Sequence, residues 1–349
     1  MKAIVLRSGE LRVDEVADPV PETGQVLVKS LACSICASDH HMIHHGDRLA
    51  AWSRANGGMF NFDPDQDLVL GHEFCGEIVD HGPGADSPFA VGTRVVSSPV
   101  LLHRGGMAVL GYSNVWPGGF GEYLALSESM LLAVPDHVPS AIASLMEPLS
   151  VGIQYVRIAD VQPGEVPLVI GCGAIGLSVV AAMKAAGIAP IVAADYSPFR
   201  RETAVAAGAT DVVDPAVESA VGAWHRVAPP GSGCVIVECV GAPGVLNDLF
   251  AEAPTSAQII VAGQNLQDDT IFTASAHAKG LKVQFGGIPV PADYENSLAA
   301  IASGAIDITP WQTGNADLDG AIDAFKESTD TERHTRIAVH PHGLEAAGL

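Results

Sequence analysis

Between residues 166 and 176 the chain leaves little choice of fold. Val166-Pro167-Leu168-Val169-Ile170 is an apolar run of strand length that ends directly on Gly171-Cys172-Gly173-Ala174-Ile175-Gly176, and an alanine-rich apolar stretch follows over 177–186. The uncharged run 166–183 is long enough to raise the question of a membrane span. Pro167 and the three glycines divide it instead into a buried strand, a turn and the start of a helix. The same texture repeats: 191–195 then 198–207, 235–240 then 245–253, and a last strand over 258–262. Strand, helix, strand at this spacing builds a parallel sheet with right-handed crossovers.

In that context each glycine has a task. Gly171 permits the tight turn, Gly173 lets the backbone approach a pyrophosphate, and Gly176 lets the helix pack closely on the sheet. Gly171, Gly173, Ala174, Ile175 and Gly176 are therefore the candidate cradle of a dinucleotide, with phosphate resting on helix N–H groups. Asp195 ends the following strand, 19 residues after Gly176. Its carboxylate suits the adenosine ribose hydroxyls and repels a 2′-phosphate, which favours NAD over NADP. Arg200 and Arg201 stand just beyond and qualify that preference, since either can serve a 2′-phosphate or flank the adenine.

The remainder of the chain reads differently. Ala3-Ile4-Val5-Leu6, Val26-Leu27-Val28, Glu77-Ile78-Val79 and Arg94-Val95-Val96 are short apolar runs punctuated by glycine turns, the pattern of a small barrel. After 286 a helix over 292–303, another over 318–325 and a strand over 337–339 are too few for a third domain and are expected to complete the first. The expected division is 1–149 with 286–349, and 150–285. Between His41 and Gly71 no period is clear, and the segment reads as a long excursion with one helical turn over 48–54.

Composition narrows the partners. Forty acidic against 18 basic residues give a net charge of −22, a field that repels nucleic acid and anionic membranes. The six cysteines are too few and too uneven for a disulfide framework, and the start of the chain lacks a signal-peptide pattern, so a cytoplasmic setting is expected.

Chemistry concentrates in Cys36-Ala37-Ser38-Asp39-His40-His41, where a thiolate, a hydroxyl, a carboxylate and imidazoles share six residues. Thiolate and imidazole suit Zn²⁺, and a catalytic zinc takes three protein ligands with a fourth position open. The further donors stand in Gly71-His72-Glu73 and in Leu145-Met146-Glu147-Pro148-Leu149, so only a fold can assemble them. Taken singly, Cys36 reads as a small buried hydrophobe, His72 as a core histidine and Glu147 as a helix-start carboxylate.

As an ordered set, together with Gly118-Gly119-Phe120-Gly121-Glu122-Tyr123 and the dinucleotide turn, these motifs resemble the zinc-dependent medium-chain alcohol and polyol dehydrogenases over nearly the whole chain. The resemblance implies an α/β protein in which a GroES-like β-barrel catalytic domain accompanies a Rossmann doubly wound parallel sheet. It implies one catalytic zinc held by Cys36, His72 and Glu147, with Glu73 beside the metal or taking a ligand position itself. Ser38 is then the first proton relay, passing the proton by way of the nicotinamide ribose to His41, and Asp39 orients the His72 ring. Glu147, where the liver-type enzymes have cysteine, places the chain nearer the sorbitol and threonine dehydrogenase branch. The expected substrate is a small alcohol or ketone, secondary or polyol-like, and the expected assembly a homo-oligomer, dimer or tetramer.

Two departures stand out. The region 97–114 contains no cysteine, so the second, structural zinc of many relatives is not expected. The stretch from Cys36 to His72 is longer than in the family, and its extra part, 46–67, carries Trp52, Met59, Phe60 and Phe62, suited to a pocket wall, an edge cover or a subunit contact. Two competing readings remain at this point: a zinc-free quinone or enoyl reductase of the same superfamily, and a nucleotide-binding regulator without turnover.

Overall fold

The computed structural model describes residues 1–85 and 87–349. Its contacts divide the chain into two compact units, one made of 1–147, 312–330 and 336–349, the other of 148–311 and 331–335.

The first unit opens with β1 (Lys2–Arg7) and β2 (Glu10–Glu15), an antiparallel pair. β3 (Gln25–Ser34) then runs through the middle of the main sheet, with Val26, Val28, Ser30 and Ala32 on its buried face, the alternation of a strand packed on one side. It leads by way of Ile35 and Cys36 into α1, Ala37–Asn56. There follow β4 (Leu68–Val69), β5 (Glu73–His81), β6 (Arg94–Ser97), the hairpin β7 (Val100–His103) and β8 (Gly106–Val109), β9 (Tyr123–Ser127), β10 (Leu131–Ala133) and the short helix α2 (Ser140–Ser144). The cysteine-free region is thus folded mainly as the β7–β8 hairpin.

The single helical turn expected over 48–54 is a correction to make: α1 is continuous for 20 residues. The Asp39 carboxylate accepts the Cys36 backbone N–H at 2.9 Å, and Gly57 ends the helix in the left-handed region at φ 65°. Such caps contribute about 1 kcal/mol each. Asp39, Met42, Gly46, Leu49, Ala50 and Ser53 are the buried stripe, in which polar and glycine positions interrupt the apolar ones and hide the period from a hydrophobic pattern.

α3 (Met146–Ala159) leads into the second unit. Here β11 (Glu165–Ile170), α4 (Ala174–Ala185), β12 (Val192–Ala194), α5 (Pro198–Ala207), β13 (Asp211–Val213), α6 (Ala220–Val227), β14 (Gly233–Glu238), α7 (Val245–Glu252), β15 (Gln258–Val261), α8 (Thr273–Lys279), β16 (Lys282–Phe285) and α9 (Pro291–Ser303) alternate. The six strands are parallel in the order β13-β12-β11-β14-β15-β16, the doubly wound sheet that the sequence pattern predicts. Strand order reverses between β11 and β14, the point where such sheets bind ligands. The apolar run 166–183 is β11, its turn and most of α4. Among the described residues no helix is long and apolar enough to cross a membrane.

Residues 286–311, expected to belong with the first domain, group with the second unit instead. Gly286 N–H donates to the carbonyl of Val261, and the buried Asp293 of α9 takes both a 3.1 Å and a 2.8 Å hydrogen bond from Arg157. The chain completes the first unit with β17 (Gln312–Asp317), α10 (Ala321–Glu327) and β18 (Arg336–His340). The main sheet then runs β10-β6-β5-β3-β18-β17, with β9 also paired to β3.

Candidate metal centre and dinucleotide turn

Strand register assembles the metal centre. Ser34 at the end of β3 lies opposite Glu73 at the start of β5, and on its other side opposite Ala338 of β18. Cys36, two residues beyond Ser34, therefore meets His72 and Glu73 from one neighbour and Arg336 from the other. Gly71 has φ +98°, and a Cβ there would lie 2.7 Å from Cys33 Sγ and 2.8 Å from the Phe120 N. Only glycine turns the chain so tightly into His72.

The donor atoms of Cys36, His72 and Glu73 all lie within 4.8 Å of one another. His72 Nε2 is 3.1 Å from Ser38 Oγ, while Nδ1 faces Asp39 Oδ1 at 3.6 Å. One ring nitrogen thus meets the hydroxyl, while the other faces a carboxylate beyond hydrogen-bond reach, and neither His72 Nδ1 nor Asp39 Oδ1 has a hydrogen-bond partner among the described residues. Burial draws the His72 pKa down, but Tyr112, Asp39 and Cys36 outweigh it and the net shift is upward. A thiolate, an imidazole and a carboxylate converging in a buried place are a fitting set for zinc.

Glu147 stands differently. Burial pushes its carboxyl up to about 7, with His72 opposing the rise and Glu73 adding to it. It shares the electrostatic environment of the site, yet its oxygens are not among the donors that cluster within 4.8 Å. Glu73 is held from behind: Arg336, itself buried, donates to its two carboxylate oxygens at 2.9 Å each and reaches Cys36 Sγ at 3.5 Å. Removing one partner of such a buried pair costs about 3–5 kcal/mol.

His41 is half-buried on α1, with Nδ1 buried and meeting no hydrogen-bond partner among the described residues. Burial, then the nearby His45 and His44, lower its pKa. His40 is committed elsewhere, its Nε2 at 2.8 Å from Ser328 Oγ and its ring edge-on to Phe325.

Sequence reasoning did not single out Arg336 or Tyr112. Arg336 lies in an unremarkable strand and is recognisable only once β18 is paired. Tyr112 packs its ring 5.7 Å from that of His72, and burial pushes its phenol up to about 12, so it stays protonated at neutral pH. No motif surrounds it.

The second unit supplies the dinucleotide turn. Gly171 leaves β11 at φ +88°, and a Cβ on Gly176 would sit 1.8 Å from the Gly171 carbonyl oxygen. Nothing lies within 4 Å of where a Cβ on Gly173 would be, so the backbone at the start of α4 is open to a pyrophosphate. Ala174 and Ile175 begin the helix there. Asp195 accepts the Cys172 N–H at 2.7 Å and the Ser197 N–H at 2.9 Å, tying the end of β12 to the turn. Arg201 is occupied by the carbonyls of Asp195 and Tyr196 and by Asp214 at 3.3 Å. Arg200 Nε is buried and meets no acceptor among the described residues.

Comparison with known proteins gives two family models and relatives in overall sequence and fold. Residues 22–136 match the family model described as the alcohol dehydrogenase GroES-like domain, and residues 174–303 the model described as zinc-binding dehydrogenase. The chain is 30% identical over 286 residues to (R,R)-butanediol dehydrogenase of Bacillus subtilis, covering 78% of this chain and 81% of that one. It is 27% identical to the sorbitol dehydrogenase of the same bacterium over 98% of both chains. Among solved structures, 2R,3R-butanediol dehydrogenase from Bacillus subtilis superposes with a TM-score of 0.81 at 27% identity, over 97% of this chain and 99% of that one.

Proposed function

The chain belongs to the zinc-type medium-chain alcohol and polyol dehydrogenase family, and from that premise we propose that it carries one catalytic zinc per chain and uses NAD. It is an oxidoreductase that interconverts an alcohol and a ketone. The observation that carries the metal assignment is the convergence of Cys36, His72 and Glu73 within 4.8 Å. Cys36 and His72 hold the ion, and a carboxylate completes the set, either Glu147 or Glu73. Zinc in that place supplies a Lewis acid that eases loss of the alcohol proton, and the nicotinamide supplies the hydride acceptor.

The chain's own groups do the rest. Ser38 Oγ, beside His72 Nε2, takes up the hydroxyl proton as it gives up its own, and His41 is the acceptor further along that relay. Its lowered pKa keeps the imidazole neutral and able to accept. Asp39 holds the His72 ring in place from behind. The backbone of 171–176 cradles the pyrophosphate and Asp195 takes the ribose hydroxyls, with Arg200 alongside.

The deciding experiment is a panel of alcohols with NAD or NADP on zinc-loaded protein, scored by nicotinamide reduction beside Cys36→Ala and Ser38→Ala. Cys36→Ala is expected to lose bound zinc and turnover, and Ser38→Ala to keep zinc and lose about 100-fold in kcat. Full activity in Cys36→Ala ends the metal assignment, and equal rates with both cofactors end the role given to Asp195.

We further infer a homo-oligomer. β16 ends its sheet, Phe285 on it is 65% exposed, and exposed Ile288 and Val290 follow. An edge strand that ends in exposed apolar side chains favours pairing with a second copy.

A further inference from the structure

The segment after α1 has an aromatic side chain leading toward the metal centre. The Phe60 and Tyr112 rings are 5.0 Å apart and tilted by 49°, and the Tyr112 and His72 rings 5.7 Å apart and tilted by 44°. These are the separations at which aromatic pairs attract beyond their area burial. The three rings therefore form a continuous row from the inserted segment to a candidate zinc ligand.

That row is held on both sides. Phe62 is buried against Met42 and Gly46 of α1, and Arg54 Nη1 donates to its carbonyl at 3.1 Å. Gly58 N–H donates to the Ser53 carbonyl at 2.8 Å, turning the chain back on the end of the helix. Asn114, two residues from Tyr112, accepts from Asp63 N–H at 2.7 Å and donates to the carbonyls of Asp63 and Asp67 at 3.1 and 3.0 Å. Both ring-bearing segments are thus stitched to each other. Met59 and Trp52 are 36% and 56% exposed.

We propose that Phe60 is a specificity-determining residue: with Tyr112 it forms an aromatic wall beside the metal centre that selects alcohols bearing an apolar, preferably aromatic, substituent over polyhydroxylated chains. The inference rests on the alcohol dehydrogenase reading above and adds the substrate class. A polyol has hydroxyls to satisfy along its whole length, the Phe60 ring offers them no partner and the Tyr112 hydroxyl is already engaged with Ser38, so desolvation disfavours it there. A flat apolar substituent gains contact with both rings.

The test compares wild type, Phe60→Ala and Phe60→Tyr on zinc-loaded protein with saturating nicotinamide cofactor. 1-Phenylethanol, 2-butanol and sorbitol are the substrates, and bound zinc is measured alongside. Wild type is expected to prefer 1-phenylethanol. In Phe60→Ala the ratio of kcat/KM for 1-phenylethanol to that for 2-butanol is expected to fall by about tenfold or more, mainly through KM, with zinc content unchanged. Phe60→Tyr is expected to keep the ratio, and Phe60→Leu replaces the alanine variant if that one fails to fold. An unchanged ratio, an equal loss on both alcohols, or sorbitol as the best wild-type substrate overturns the inference while leaving the dehydrogenase reading intact. A wild type that oxidises none of the three with either cofactor removes that reading and this inference with it, before any variant is compared.

Discussion

Arg336 shows how a single side chain can matter to a site without belonging to any motif. Its guanidinium neutralises Glu73 beside the thiol of Cys36, so Arg336→Met leaves a carboxylate buried without its counter-charge. Urea unfolding of the metal-free protein is expected to register a loss of about 3–5 kcal/mol. Glu147 gives a pH signature of opposite origin. Its carboxyl is held at about 7 against an ordinary 4.5, so folding takes up a proton between those values and stability is lost as pH rises through them. Metal-free Glu147→Gln is expected to melt roughly 3–6 °C above wild type at pH 8 and level with it at pH 4. A constant difference across that range would count against the burial assigned to Glu147. Cys36, Ser38, His72 and Asp195 were legible in the sequence because each sits in a short pattern with a chemical meaning. Arg336 and Tyr112 were not, because their importance comes from strand pairing and ring packing between residues far apart in the chain.

At the scale of elements, the doubly wound sheet was readable because its signal is local and repeated: each buried strand is a continuous apolar run, and each helix follows within a few residues. α1 was not, because its buried stripe uses Asp39, Gly46 and Ser53 where a pattern search expects apolar residues. The carboxylate there accepts the Cys36 N–H and faces His72, and Gly46 lies against Met42 and Phe62. Function has displaced the period. Phe62→Ala removes the main anchor of the segment beyond the helix, and thermal unfolding is expected to show a cost of about 3–5 kcal/mol. The β11–α4 junction is less tolerant, since a methyl on Gly176 would meet backbone and not a side chain that could move. Gly176→Ala is expected to abolish detectable binding of NADH by fluorescence while leaving bound zinc at the wild-type level.

For the molecule as a whole, the two-unit division follows from contacts that composition cannot reveal. Arg157 and Asp293 tie α9 to α3, and neither stands out in the sequence. The charge of −22 makes copies repel one another at low ionic strength. Assembly through the β16 edge is therefore expected to strengthen with salt, which screens that repulsion. Light scattering at low and high ionic strength checks this, and Phe285→Asp is expected to lower the measured mass to that of one chain with its alcohol oxidation rate per chain reduced by no more than about half.

The pairing of β18 with β3 also sets an order of events during synthesis. Cys36, His72 and Glu73 emerge early and Glu147 soon after, but the cation that balances their charge arrives only with residue 336, once the whole dinucleotide unit has been made. Until then the acidic, thiol-bearing pocket is open on one side and its sheet lacks two strands. The nascent chain therefore has to keep its thiol and carboxylates in water for most of translation. Formation of β18, and not the appearance of residue 147, is the step that supplies the counter-charge to Glu73.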